Sequence, residues 1–251
     1  SQIASSNMAQ LHFRSILSRS YSATAVLLLL VLLPVACSNS EAALVPTAAP
    51  KLTAAEVVEL SKTSMGNIDS FSFQLTHDSG HTTLSGALQL TRAGGFVETN
   101  GLDLEAEANI GRLFVKVEAI VIGRQTWMTN PITGVWSEIA PEDSPFAFLD
   151  PVKLVADILG DTQQATYAIN DQTTIGEIEI LGNIPAKSLA ALVGYVSPDE
   201  IPSVVLTIDS SSNLLKKIII SGVVQSEDEL GTVRVITLSD FDEPLAIKPP
   251  I

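Results

Sequence analysis

One cysteine, three histidines and 5% aromatic residues are all that this sequence of 251 residues offers of the side chains that most often carry chemistry. The single cysteine, Cys37, excludes an internal disulfide framework, and a leftover Cys usually has a separate purpose. With aromatics scarce, a core must be built from Leu, Ile, Val and Ala. Hydrophobic residues at 46% and charged residues at 17% are enough for one large core. Positive charge is scarce too: 14 Lys and Arg stand against 28 Asp and Glu, a net charge of -14. Arg14 and Arg19 both fall in the first 36 residues, which hold no acid, so the rest carries 12 basic against 28 acidic residues, or -16. Such a surface repels nucleic acid and anionic headgroups, so no nucleic-acid partner is expected. After residue 37 there is no long hydrophobic run, no Gly-x-Ser-x-Gly elbow and no phosphate loop.

The few chemically capable residues have plain readings. His12 lies near the N-terminus, which leaves His77 and His81 for catalysis. His77-Asp78-Ser79-Gly80-His81 offers a metal pair or a hydrolase fragment on paper, but Asp and Gly between two alternating segments read as a solvated hairpin tip. Glu227-Asp228-Glu229 lacks the ligand spacing of a calcium loop and reads as a solvated hairpin end. Trp127 and Trp136 mark either a ligand mouth or packing at a sheet edge. No enzyme activity, cofactor or metal is expected.

The N-terminus is where the sequence is most specific. Met8 is the expected start. Arg14 and Arg19 precede the apolar run Ala25–Leu33, then Pro34-Val35-Ala36-Cys37. Nine apolar residues suit a signal-peptide core and are about half of the roughly 20 needed to span a bilayer. A small residue just before a Cys at the end of such a core resembles the bacterial lipobox. Leu33, Val35 and Ala36 fit it, while Pro34 stands where another aliphatic residue is usual. The resemblance implies a diacylglyceryl group on the Cys37 thiol and cleavage that makes Cys37 the new N-terminus. Ordinary signal-peptidase cleavage with Cys37 a bystander is the alternative; that the only Cys falls at this one place favours lipidation. Two acyl chains suffice for stable anchoring. Residues 38–52, SNSEAALVPTAAPKL, have linker composition, and fifteen such residues span about 20 Å. The expected organisation is a signal peptide over 1–36, lipidated Cys37 and a flexible tether over 37–52, and one folded domain over 53–251. It would sit on the extracytoplasmic face of a cell membrane.

The folded domain opens on a helix. Thr53-Ala54-Ala55-Glu56 is a capping box, Val57, Leu60 and Ser64 form a stripe with Val58 and Met65 beside it, and Gly66-Asn67 ends it. Alternation then takes over: Phe71, Phe73 and Leu75; Leu84, Gly86, Leu88 and Leu90; Leu102, Leu104, Ala106 and Ala108; Val115, Val117 and Ala119, each with polar residues between. That is the pattern of antiparallel strands with one dry face. Further strands are predicted at 165–169, 174–180, 203–208, 215–224 and 232–238, with a hairpin loop at Ser210–Asn213. Asp150-Pro151 starts a second helix with Val152, Val155 and Leu159 on a stripe flanked by Leu154 and Ile158; a third begins near Pro185 and carries Leu189, Leu192 and Val193. The fold class is α+β: a large curved antiparallel sheet, a half-barrel of about nine to eleven strands, with three helices on its concave face.

A sheet this wide twists and curls. Three short helices need not fill its concavity, and an unfilled aliphatic concavity suits an acyl chain; composition alone leaves a filled core equally open. Because Ser72, Gln89, Asp103, Glu105, Lys116 and Glu118 must face water, Phe73, Leu88, Leu104, Ala106, Val115 and Val117 face the helices. With Leu154, Ile158 and Leu192 they are the candidate lining of an apolar cavity.

The order of features along the chain resembles the LppX–LprAFG lipoprotein family, related to the LolA and LolB lipoprotein carriers. Those features are the lipobox Cys and tether, the helix followed by Ser70-Phe71-Ser72-Phe73, and the Thr83-Leu84-Ser85-Gly86 strand. Trp136-Ser137-Glu138-Ile139 comes ahead of Asp150-Pro151 and its helix, and Leu238-Ser239-Asp240-Phe241 leads to Pro249-Pro250. The resemblance implies a cavity for acylated lipids or glycolipids, which the protein carries across the envelope, and an envelope transporter or acceptor protein as partner. Two other classes stay open: an anchored interaction or signalling module with a filled core, and a hydrolase, which would need polar groups converging in the cavity. The lipidation expectation is tested directly: Cys37→Ala should abolish fatty-acid labelling and release the protein from membranes, whereas undiminished labelling and retention would refute it.

Overall fold

The computed structural model describes residues 51–84, 88–169 and 175–251; Cys37, the leader and the tether up to residue 50 lie outside the described residues. Twelve strands form one open sheet. They are β1 (Ser70–Ser79), β2 (Thr82–Leu84), β3 (Leu88–Glu98), β4 (Gly101–Ile110), β5 (Leu113–Ile122), β6 (Gln125–Thr129), β7 (Trp136–Ile139), β8 (Gln163–Tyr167), β9 (Glu177–Asn183), β10 (Ser203–Asp209), β11 (Leu215–Ser221) and β12 (Val233–Ser239). Their spatial order is β7-β6-β5-β4-β3-β1-β12-β11-β10-β9-β8, with β2 paired to β3 off that path. Two antiparallel meanders, β3 to β7 and β8 to β12, are thus joined through β1 paired with β12. One expected strand is really two. Alternation runs on through residues 84–90, but Leu84 faces Leu88 across the β2–β3 pair. The predicted strand over 215–224 ends at Ser221, because Gly222 turns the chain at φ 116°.

Helix α1 (Ala54–Met65) starts as the sequence dictates: the Thr53 amide donates to the Glu56 carboxylate at 2.7 Å, and the Glu56 amide donates to Thr53 Oγ1 at 3.3 Å. In α2 (Pro151–Asp161) the Asp150 carboxylate accepts from the Lys153 amide at 2.9 Å, with Pro151 at the first helical position. A 3₁₀ turn, Ala186–Leu189, runs into the single-turn α3 (Ala190–Val193). The buried stripes differ from expectation by about one residue's rotation. Leu60 is 41% exposed while Ser61 is buried, and Val152 is 51% exposed while Pro151, Leu154, Val155, Ile158 and Leu159 are buried. Helix α1 packs on α2 and β8, and α2 packs on α3 and its 3₁₀ turn.

Side-chain size changes along the inner face. One unbroken cross-strand row reads Ile180, Leu206, Ile218, Ile236, Leu75, Ala93, Ala106, Val117 from β9 to β5. The next row reads Leu238, Phe73, Gly95, Leu104, Ala119, Met128 from β12 to β6. Large aliphatics in β9 to β12 fill the space beneath the helices; Ile180, Leu206, Ile218 and Ile220 are wholly buried, each contributing about 1.5–3 kcal/mol. On β3 to β5 the same rows carry Ala and Gly, which leave room. Gly95 is held to glycine by its neighbour strand, since a Cβ there would lie 1.8 Å from the Asp103 carbonyl oxygen. The outer face is not wholly polar. Phe96, Ile120 and Trp127 are buried on it, Ile120 opposite Trp127, so Trp127 packs across the outer surface. Asp103 shares their row; burial pushes its carboxyl up, and Glu118 and Glu105 add to the shift.

Two segments expected to be solvated tips each send one side chain, His77 and Asp228, into one buried polar cluster, while Asp78, Ser79, Gly80, Glu227 and Glu229 are exposed as expected. Strand β1 runs on through His77, whose Nδ1 donates to the Thr91 carbonyl at 3.0 Å while Nε2 accepts from Thr82 Oγ1 at 2.9 Å. Thr82 Oγ1 in turn accepts from Arg234 Nε at 2.8 Å. Burial holds the His77 imidazole below its ordinary pKa, against the raising effect of the Thr91 bond. Asp228 and Arg234 form a two-pronged ion pair at 2.9 and 2.6 Å, with side chains 1% and 0% exposed. Gln225 completes the cluster, accepting from the Thr83 amide and donating to the Thr83 carbonyl. Burial pushes the Asp228 carboxyl up, but the Arg234 guanidinium and the Gln225 and Val224 amides outweigh it and hold it below the ordinary carboxylate value. Its stabilising contribution is therefore complete above the unfolded value and is lost as pH falls through the folded one. Arg234→Met should cost about 3–5 kcal/mol in urea denaturation by stranding a buried carboxylate. That cost should shrink as pH falls, because protonating Asp228 removes both the ion pair of the wild type and the stranded charge of the variant.

Candidate functional site

Between the small-residue half of the sheet and the chain leading into α2 lies a groove of about 1020 Å³. Its floor is the inner face of β3 to β6: Val97, Leu102, Leu104, Ala119, Val121 and Thr126. Its opposite wall is the segment 141–156. This begins with a 3₁₀ turn, Pro141–Asp143, and is then held by local bonds: Ser144 Oγ accepts from the Phe146 amide at 3.2 Å, and the Leu149 amide donates to the Phe146 carbonyl at 2.9 Å. Beyond it the Asp150 amide donates to the Ala191 carbonyl, and the Phe148 ring packs over Gly194, where a Cβ would come within 3.0 Å of it. Glycine is needed there on two counts, since its φ is 84°. The wall is thus pinned at its far end to α3.

A second, enclosed space of only about 20 Å³ lies beyond that wall, lined by carbon side chains such as Phe73, Ala93, Leu154, Leu192 and Ile236. A void of that size holds little more than one water-sized probe. Phe146, Leu149 and Pro151 line both spaces and form the partition between them. Phe146 is 6% exposed, so its ring is a plug in the core as well as part of the wall. The groove's volume is at the upper end of the roughly 300–1,000 Å³ usual for small-molecule sites. The floor carries no titratable side chain; the titratable residues at its border, Asp69, Glu98, Glu142, Asp150 and Lys153, come from the ends of strands, the 3₁₀ turn and the start of α2, and Glu98 has the outward parity of Phe96. Among the described residues no group of three or more His, Cys, Asp or Glu is arranged to hold a metal ion, and no helix is long and apolar enough to cross a membrane.

The LppX_LprAFG lipoprotein family model matches residues 53–247. The chain belongs to this family. Among solved structures, LprF from Mycobacterium bovis is similar at TM-score 0.56 and 15% identity, over 78% of this chain and 96% of LprF. The Mycobacterium tuberculosis lipoprotein LppX is similar at TM-score 0.53 and 16% identity, over 78% of this chain and 98% of LppX. At such identities the likeness is one of fold: the large open antiparallel sheet with three helices that alternation predicts. No curated protein matches the sequence.

In this LppX_LprAFG-family chain the nine candidate lining residues take three kinds of place. Phe73, Leu154 and Leu192 line the enclosed void, and Leu104 lines the groove. Ala106, Val115, Val117 and Ile158 are buried, and Leu88 is half-buried against the core; these five line neither space. Groove residues outside that set include Val97, Leu102, Ala119 and Val121, all inward alternants of their strands, and Phe146, Leu149 and Val152 from the wall. The strand residues carry a signal in the sequence, the continued alternation of β3 to β5. The exposed Val152, apolar on the outer side of a helix, is a second: it points into the groove instead of the core. Truncating the partition tests its part. Phe146→Ala should cost about 3 kcal/mol or more in denaturant unfolding and join the two spaces. The variant should therefore bind a long-chain fluorescent fatty acid more tightly than the wild type.

Proposed function

We propose that this chain is a membrane-anchored, non-enzymatic lipoprotein of the extracytoplasmic face that binds acylated lipids or glycolipids in the groove and carries them across the cell envelope. The observation that carries this is the apolar floor laid down by Val97, Leu102, Leu104, Ala119 and Val121 under a groove of about 1020 Å³. Water over such a floor is unfavourably placed, by about 25 cal/mol for each Å² that an acyl chain would cover. A core of this aliphatic composition closes where helices cover it, as it does over β9 to β12; on β3 to β5 small side chains keep it open. Membership of the lipoprotein family supports the organisation expected from the N-terminus: signal peptide over 1–36, lipidated Cys37 and tether over 37–52, lipid-binding domain over 53–251. A tether of about 20 Å lets the domain reach the membrane to load and turn away to deliver to an envelope transporter or acceptor protein.

The close packing beneath α2 and α3, with only about 20 Å³ left void, favours a second reading in part of the molecule. An anchored interaction module needs a filled core, and that half has one. The two are separated by blocking the groove. Ala119→Trp places a large ring on the groove floor, where Ala119 is 3% exposed, opposite Leu104. Native mass spectrometry of protein from its own host should find acylated lipid on the wild type. The folded variant, checked by circular dichroism, should carry little or none and should fail to move lipid between vesicles. Should the ring unfold the protein, Val121→Glu, at a half-buried groove position, provides the same block by charge. A wild type that carries no lipid, or folded variants that carry as much as it does, would overturn the carrier assignment.

A further inference from the structure

We infer that one corner of the sheet is a membrane-docking tip, where the β4–β5 turn and the neighbouring β6–β7 turn insert apolar side chains into the headgroup region of the anchoring bilayer. Both turns lie at the ends of their strands that point away from the groove. In the first, Ile110 faces Leu113 and Asn109 faces Phe114 across the hairpin. Ile110, Leu113 and Phe114 are 47%, 57% and 58% exposed. In the second, Ile132 and Val135 are 84% and 63% exposed. That second turn is tightly built. The Asn130 amide donates to the Val135 carbonyl at 2.9 Å, and Asn130 Oδ1 accepts from the Ile132 and Thr133 amides at 2.9 and 3.0 Å. The Glu118 amide donates to Thr129 Oγ1 at 2.9 Å, which holds the turn beside β5, one strand over from the first.

Three features favour a bilayer over a protein partner. The first is parity. Ile110 and Leu113 belong to the inner face of the sheet and Phe114 to the outer one, so the hairpin end is apolar on both sides. A protein surface covers one side of a hairpin; a fluid apolar medium surrounds it. The second is charge. Residues 108–117 and 126–137 contain no Asp or Glu, although the chain beyond residue 36 carries 28 acids against 12 bases. A carboxylate carried into the interface would lose its hydration. Arg112, at the apex, has a stem long enough to keep its guanidinium among the headgroups while Leu113 and Phe114 sink below them. The third is room. A Cβ on Gly111 or on Gly134 would meet nothing within 4 Å, so both turns stand clear of the rest of the domain. Two short tips hold a bilayer weakly by themselves, but a tether makes the contact intramolecular and raises its effective concentration. The inference rests on the anchor proposed at Cys37 and is independent of what the groove holds. A domain docked by these tips keeps the groove, at the other end of β4, up to about 30 Å from the bilayer.

The test supplies the anchor chemically. The chain from Cys37 onward keeps the compact unit Ala49–Ile251 whole. Made without lipid, it is coupled through Cys37, its only thiol, to maleimide-bearing lipid in vesicles of phosphatidylcholine with brominated acyl chains. Phe114→Trp adds an indole at the tip. Bromine should quench this variant severalfold more than the parent chain, and the quenching should persist in molar salt, because apolar insertion and not charge holds the tip. Adding Ile110→Glu and Leu113→Glu should lower the docked fraction about tenfold or more and return quenching to the level of the parent. Both positions are exposed, so the fold should survive, as circular dichroism would show; Ile110→Ser with Leu113→Ser serves if the acids disturb it. Absence of extra quenching in Phe114→Trp, or quenching that survives the added substitutions, overturns the docking tip. So does a soluble chain that forms dimers broken by the same substitutions while showing no quenching on vesicles, since a second copy then covers the tip.

Discussion

A sheet needs something to cover its dry face, and here the cover is too short. Eleven strands lie side by side in the main path of the sheet, which at about 4.8 Å per strand is about 50 Å of width. Helices α1 and α2, with 12 and 11 residues, are each roughly 17 Å long, and α3 is a single turn. They can seal one half of the face and not both. The sealed half, β9 to β12, carries Ile, Leu and Val and is closely packed. Over β3 the helices still reach Leu90 and Ala93 through Leu154, Val155 and Leu192, while further along the sheet the 141–156 segment stands off a floor of Leu, Val and Ala. The groove and the ligand proposed for it both follow from that shortfall.

Most of the architecture is written in local pattern. Alternation is strict in β4, where Leu102, Leu104, Ala106 and Ala108 are buried and Asp103 and Glu105 are exposed, and this is enough to place the strand and its inner face. The caps of α1 and α2 are equally local, because Thr53, Glu56 and Asp150 satisfy amides three residues away. What fails to show is what depends on distant partners. Leu60 and Val152 have the right character for a core stripe, but which side of a helix is buried is set by what lies next to it. The alternation through residues 84–90 does not reveal that Leu84 and Leu88 face each other. Arg234 was legible in principle: it shares the inward parity of Ile236 and Leu238, and an inward arginine demands a buried carboxylate. The acid that answers it, Asp228, sits in a run of three that looks like ordinary surface.

The groove was legible to the level of a face and no further. Period two says which residues point inward; it does not say where along the inner face a helix is missing. Hence Ala106 and Leu104, two residues apart on one strand, part company, the first packed in the core and the second bordering open space. The wall is harder still. Segment 141–149 has neither period, and its position depends on contacts such as Phe148 on Gly194 and Asp150 on Ala191, between residues some forty positions apart in sequence.

The seam between β1 and β12 bears on how such a chain reaches its native state. Each meander is built from neighbours in sequence and can form as soon as its own strands are available. The bond between them joins the first strand of the sheet to the last, as in Leu75 facing Ile236. Loops of that length close slowly, and pairing that is non-local slows folding. For a chain delivered N-terminus first, β1 must wait, with one edge unpaired and a face of Phe71, Phe73 and Leu75 uncovered, until residues 233–239 arrive. An exposed strand edge of this kind is a template for pairing with another chain. The midpoint of the finished sheet is therefore its most vulnerable place during synthesis, and a chain that stops short of β12 would leave two open edges where the mature fold has none.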